Sequence, residues 1–219
     1  MPRFFALTED SQIRRSLAFA QVAQAHYDSE PIRCSVCRRP VANLRWAPPF
    51  RIWLKNPRVI PDLIQCFGGP DLLVSSALHD ELRRARLKGT ERAYPVQITR
   101  IGTRRSDRRR PALFGIDLTH SYCRVDFDAS GVTWSTPPEY DFCSTCGPGG
   151  GGGAGCFWSF ERLMFDISGW DGEEIFLPIN LAGTPILTED AISKIDFSSF
   201  TNCRIIPADR YRFEYGRVA

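Results

Sequence analysis

The sequence predicts an α+β chain with mixed or antiparallel sheets and a few short helices. Three observations carry that expectation. Apolar runs of strand length recur along the 219 residues, a strand, capped helix and strand occur in succession twice, and two Cys-x-x-Cys pairs stand far apart. Hydrophobic residues make up 43% and charged residues 24%, the balance of a chain that buries a core, not of a disordered one. The length suits a single domain over 1–219, with two similar halves of about 1–110 and 111–219 as the finer reading.

Phe4-Phe5-Ala6-Leu7 opens the chain as a first strand, and Glu9-Asp10 then turn it acidic, with no apolar signal region before them. Nothing reaches the roughly 18 consecutive apolar residues of a membrane helix. The expectation is a cytosolic protein with no membrane partner. Residues 11–27 are rich in Ala, Leu and Gln, with Ile13, Leu17, Ala20 and Val22 among the apolar positions, and read as a helix. Pro48-Pro49 exclude regular structure after the first cysteine pair.

The clearest local unit spans Asp71 to Ile98. Leu72-Leu73-Val74 form a strand, and Ser75 or Ser76 is placed to cap the following helix. Asp80 and Glu81 occupy its opening turns, Leu78, Leu82 and Ala85 form its stripe, and Gly89 is its expected stop. Tyr94 to Ile98 is the exit strand, which Pro95 marks as an edge. The pattern returns near the C-terminus: Pro185-Ile186-Leu187, a cap at Thr188, Glu189 and Asp190 in the first turn, Ile192 and Ile195 as the stripe, and Cys203 to Pro207 as the exit. Between the units, Phe114 to Leu118 and Cys123 to Phe127 alternate like half-buried strands, and Asp128 to Gly131 is a turn toward Val132-Thr133-Trp134.

Net charge is +3, too weak for a general argument toward nucleic acid, and 25 of the 28 cations are arginine. Searches for catalytic patterns end empty. There is no G-x-S-x-G, no H-E-x-x-H and no deaminase H-x-E, and the three histidines have no characteristic partner spacing. The run Gly149 to Gly153 reads as a surface loop, since no Lys follows to anchor a phosphate.

Eight cysteines are the informative part of the composition. Cys34-Ser35-Val36-Cys37 and Cys143-Ser144-Thr145-Cys146 together supply four thiolates, the number a tetrahedral zinc requires. The 105 residues between them are far more than a zinc ribbon spans, so a shared ion would join the N-terminal loop to the middle of the chain. Four protein ligands leave no open position for water, which makes such a zinc structural. Two separate redox-active or inert pairs are the other reading. Gly147 suits the backbone after the second pair, whereas Arg38 departs from that pattern after the first. Cys66, Cys123, Cys156 and Cys203 read as core or near-core residues.

Two stretches offer partner surfaces. Arg100 to Arg110 holds six arginines, of which Arg104, Arg105, Arg108, Arg109 and Arg110 are the candidates for contact. It reads as an exposed loop, as a contact for an acidic protein surface, or as a phosphate contact that lacks an aromatic platform for bases. Trp170, Asp171, Glu173 and Glu174 form an acidic loop, either a plain surface turn or a partner contact anchored on Trp170.

The whole layout resembles the double-CxxCG motif proteins, paralogous families described in myxobacteria. The residues that carry the resemblance are Phe4 to Leu7, Cys34-x-x-Cys37, Leu73-Val74-Ser75 with the helix to Gly89, Pro95-Val96, Cys143-x-x-Cys146-Gly147 and the closing strand–helix–strand. The family includes immunity proteins that neutralise toxins passed between neighbouring bacterial cells. The resemblance implies a cytosolic α+β protein with structural zinc on Cys34, Cys37, Cys143 and Cys146. It also implies stoichiometric binding of a cognate toxin without turnover. A zinc-ribbon nucleic-acid-binding protein is the alternative.

Overall fold

A computed structural model describes residues 2–9, 17–24, 30–41, 47–55, 59–64, 66–102, 111–134, 142–143, 145–148, 157–181 and 183–214. Among these residues the fold is α+β, mostly sheet with two α-helices. The first part runs β1 (Phe4–Thr8), β2 (Phe19–Gln24), β3 (Phe50–Lys55), β4 (Leu63–Ile64), β5 (Cys66–Phe67), β6 (Leu72–Ser75), α1 (Ser76–Ala85) and β7 (Thr90–Ile101). Next come β8 (Leu113–Val125), β9 (Thr133–Trp134), β10 (Phe142–Cys143), β11 (Gly147–Pro148), β12 (Phe157–Phe160) and β13 (Phe165–Gly169). The chain closes with β14 (Ile175–Pro178), β15 (Ile186–Thr188), α2 (Glu189–Lys194), β16 (Arg204–Pro207) and β17 (Phe213–Glu214).

One twelve-stranded sheet gathers most of these, in the path β16-β1-β15-β14-β8-β7-β3-β2-β5, with β6 and β13 also on β8 and β4 on β6. β8 is its spine. Residues 113–118 are flanked by β6 and β7, and residues 119–125 by β14, which runs parallel, and β13. In both strand–helix–strand segments the incoming and outgoing strands lie on either side of a third strand and antiparallel to it. β6 and β7 flank β8, while β15 and β16 flank β1. The first segment thus takes the next strand along the chain as its centre, and the second takes the first strand of the chain.

Both helix caps form as local chemistry dictates. The Ser75 hydroxyl accepts from the Leu78 N–H at 3.3 Å, and the Thr188 hydroxyl accepts from the Ala191 N–H at 3.3 Å. Asp80 and Glu81 lie beyond the first turn of α1, and Glu81 pairs with Arg84. The helix stops earlier than Gly89, at a left-handed Arg86 with φ 50°. Gly89 serves the turn into β7 instead: its φ is +113°, and a Cβ there would lie 1.8 Å from the Ile175 carbonyl oxygen.

Two expectations are corrected. Residues 19–24, read as part of a helix, are strand β2, because pairing with β3 (Ala20 on Leu54, Val22 on Ile52) overrides an Ala- and Gln-rich composition. Of the rest of that reading, Leu17 makes a parallel bridge with Val59, and 11–16 and 25–27 lie outside the described residues. β7 is an internal strand despite Pro95. Its residues 90–95 pair with β8 and its residues 96–101 pair with β3, so the missing N–H falls where one partner gives way to the other.

Candidate metal centre

Each cysteine pair sits on a tight hairpin. In the first, the Arg38 N–H donates to the Cys34 carbonyl at 3.0 Å, the Cys34 N–H to Arg39 at 2.8 Å, and the Val41 N–H to Ile32 at 2.8 Å. In the second, β10 and β11 pair Cys143 with Gly147 and Phe142 with Pro148. The residue after each second cysteine is left-handed, Arg38 at φ 63° and Gly147 at φ 80°. Arg38 therefore adopts the glycine conformation despite its side chain, and the Arg33 guanidinium donates to its carbonyl at 3.1 Å.

The hairpins face each other and bring the four sulfurs together. Cys34 Sγ is 3.8 Å from Cys143 Sγ, Cys37 Sγ is 3.4 Å from Cys146 Sγ, and all four lie within 4.8 Å of one another. A tetrahedron with metal–sulfur bonds of about 2.3 Å has edges of about 3.8 Å, so the spacing suits one ion; a disulfide would need about 2.05 Å. The seven described cysteines are all free. The cluster can hold a metal ion.

Electrostatics point the same way. Burial alone would raise the Cys143 thiol, but N–H donors from Cys146 and Thr145 and the neighbouring thiols of Cys37 and Cys146 outweigh it, bringing it down to about 6. Cys146 moves up, through burial and the adjacent sulfurs of Cys37, Cys34 and Cys143. One thiolate is favoured and further negative charge beside it is opposed, the imbalance that a bound cation relieves.

The setting is apolar and anchored. Cys34, Cys143 and Cys146 are buried with Val41 and Ile179, and Cys37 and Ile32 pack against them. Ile179 follows β14 directly, and its N–H donates to the Ser121 carbonyl at 3.1 Å. Its neighbour Asn180 exchanges two 2.9 Å hydrogen bonds with the Val125 backbone. The cluster is therefore fixed to the far end of β8. Phe127 closes one side: a Cβ on Gly147 would come within 3.0 Å of its ring.

The remaining candidates fall elsewhere. Arg104, Arg105, Arg108, Arg109 and Arg110 lie outside the described residues. Trp170 is half-buried against Phe4, with centroids 5.5 Å apart, and donates to the Glu173 carbonyl at 3.1 Å. Glu173 is buried, Glu174 pairs with Lys194, and Asp171 is exposed. Cys66, Cys123 and Cys203 are near-core thiols pushed up to about 12, chiefly by burial. Among the described residues no helix is long and apolar enough to cross a membrane.

No protein-family model matches the chain, and no curated protein is similar to it in sequence.

Proposed function

We propose that the chain is an immunity-type protein of the double-CxxCG kind, which binds and neutralises a cognate bacterial toxin in the cytoplasm. The observation that carries this reading is the convergence of Cys34, Cys37, Cys143 and Cys146, the two motifs on which the resemblance rests, into one four-thiol cluster. Zinc is the ion this donor set prefers, since four thiolates in tetrahedral array select it over hard cations. With every ligand supplied by protein, its role is to hold two distant hairpins as one rigid surface, which lowers the ordering cost when a partner binds. The two split strand–helix–strand segments fit a chain built from two similar halves, each lending the other its central strand.

Two measurements test the proposal. Purified protein should contain one zinc per chain, and it should form a 1:1 complex with the toxin encoded by the neighbouring reading frame and abolish that toxin's activity. Zinc-free protein after growth in zinc-containing medium would overturn the metal reading. The absence of a complex would overturn the function.

A further inference from the structure

The outward face of β2, β3 and the second half of β7 has an unusual composition. The inward residues Ala20, Ile52, Leu54 and Ile98 belong to a buried apolar cluster. Alternation turns Phe19, Arg51, Trp53 and Lys55 the other way, and the register sets Gln97 opposite Arg51 and Arg100 opposite Trp53. Residues 19–24, 50–55 and 96–101 contain no Asp or Glu. These strand segments themselves contribute three cations to the face, Arg51, Lys55 and Arg100.

These cations are held in place. The Arg51 guanidinium donates to Gln24 Oε1 at 2.6 Å and to Gln97 Oε1 at 3.3 Å, spanning three strands. Lys55 Nζ lies 4.4 Å and the Arg100 guanidinium 4.5 Å from the centre of the Trp53 ring, while the indole N–H donates to the Gly102 carbonyl at 2.9 Å. Cations ordered over an aromatic ring lose little freedom when they meet an anion. Phe19, 36% exposed, adds apolar area beside them, and Arg and Trp are both enriched among the residues that carry most binding energy at protein interfaces.

We infer that this face is a docking surface for an acidic protein surface, its guanidinium and ammonium groups meeting carboxylates around the Trp53 and Phe19 rings. The inference deepens the binding function proposed above and rests on it, naming the partner's chemistry. A protein fits better than a nucleic acid. Two cations within 4.5 Å of one ring centre leave that ring little room to stack on a base, the contact single-strand binders depend on.

The test uses zinc-loaded full-length protein with labelled polyglutamate as the probe and labelled oligo(dT) as the competing polyanion, read by fluorescence anisotropy. Polyglutamate should bind in a salt-sensitive way, and R51E/R100E should weaken it about tenfold or more. R204E/R210E makes the same charge change on exposed residues of β16 and the turn after it, and should cost less than about threefold. Equal losses from the two variants, no polyglutamate binding, or tighter binding of oligo(dT) would overturn the inference. If R51E/R100E loses its zinc or its circular dichroism, R51Q/R100Q replaces it; a loss of about threefold or more with zinc retained supports the surface, and no loss overturns it. Failure here is separable from failure of the proposed function. A neighbouring-frame toxin bound equally well by R51E/R100E sinks the surface and leaves immunity standing. Face-dependent polyglutamate binding without any toxin complex does the reverse.

Discussion

Arg38 and Gly147 hold equivalent stations in the two knuckles, each directly after the second cysteine and each left-handed, at φ 63° and 80°. The backbone turn is thus common to both hairpins, although only one has the residue that adopts it without strain. A left-handed side-chain-bearing residue costs roughly 1–2 kcal/mol, and replacing it with glycine returns roughly 0.5–1 kcal/mol of that to the unfolded chain's freedom. Arg38→Gly should therefore stabilise the protein by about 0.5–1 kcal/mol, a rise in Tm of a few degrees, while zinc stays bound. Gly147→Ala should do the opposite, since its Cβ would be left-handed and would also press within 3.0 Å of Phe127. Thermal melts of both variants check the pair; a destabilised Arg38→Gly would show that the Arg38 side chain does something the hairpin geometry does not reveal.

Stability should follow free zinc. An ion that binds only the folded protein adds about 1.4 kcal/mol for every tenfold excess over its dissociation constant, equivalent to about 3–6 °C in Tm for a chain of this size. A titration of Tm against buffered zinc should rise with that slope, and a chelator should reverse it. Cys34→Ser and Cys146→Ser, both at fully buried sulfurs, should flatten the rise and weaken zinc binding by roughly 100-fold or more, beyond the loss expected from an outer-shell partner. A Tm indifferent to zinc would contradict the staple.

Thiol chemistry separates the two kinds of cysteine. Cys66, Cys123 and Cys203 stand at about 12, so at pH 8 about one thiol in 10⁴ is ionised, and the nucleophile for alkylation is nearly absent. In the folded protein supplied with zinc these three should resist iodoacetamide. After chelation Cys143, brought down to about 6, should be labelled before them. Peptide mapping by mass spectrometry reads the order directly, and early labelling of Cys123 would mean that its strand opens readily.

What could be read from the sequence was mostly what short-range chemistry decides. Ser75 and Thr188 cap their helices because a hydroxyl three residues ahead of an orphan N–H is sufficient, whatever lies around it. The four clustered cysteines were legible because the spacing within each pair is itself the geometric requirement for sharing one ion. Residues 19–24 misled because Ala, Gln and Val fit a helix locally, and only β3 alongside makes a strand of them. Pro95 misled for a related reason, since a change of partner in mid-strand leaves no local trace. The alternation in Arg51-Ile52-Trp53-Leu54-Lys55 was open to inspection, but Arg100 comes opposite Trp53 only after a register shift between Ile52 and Trp53.

Acid should expose one further relationship. Asp166 on β13 stands opposite Arg124 on β8, and its carboxylate accepts from the Ser168 N–H at 3.0 Å and pairs with the Arg124 guanidinium. These contacts, Ser168 first, hold it down at about 2 against an ordinary value of 3.8. Because the folded form is depressed, the contribution is complete above pH 3.8 and is lost as pH falls from there through about 2. The carboxylate is partly exposed, so the effect is modest and salt-sensitive. Asp166→Asn should lower stability at neutral pH and converge with the parent protein near pH 2, the difference opening between the two values. Parallel denaturation series across that window decide it: a constant offset from pH 7 to pH 2 would assign the loss to packing of the side chain and not to its charge.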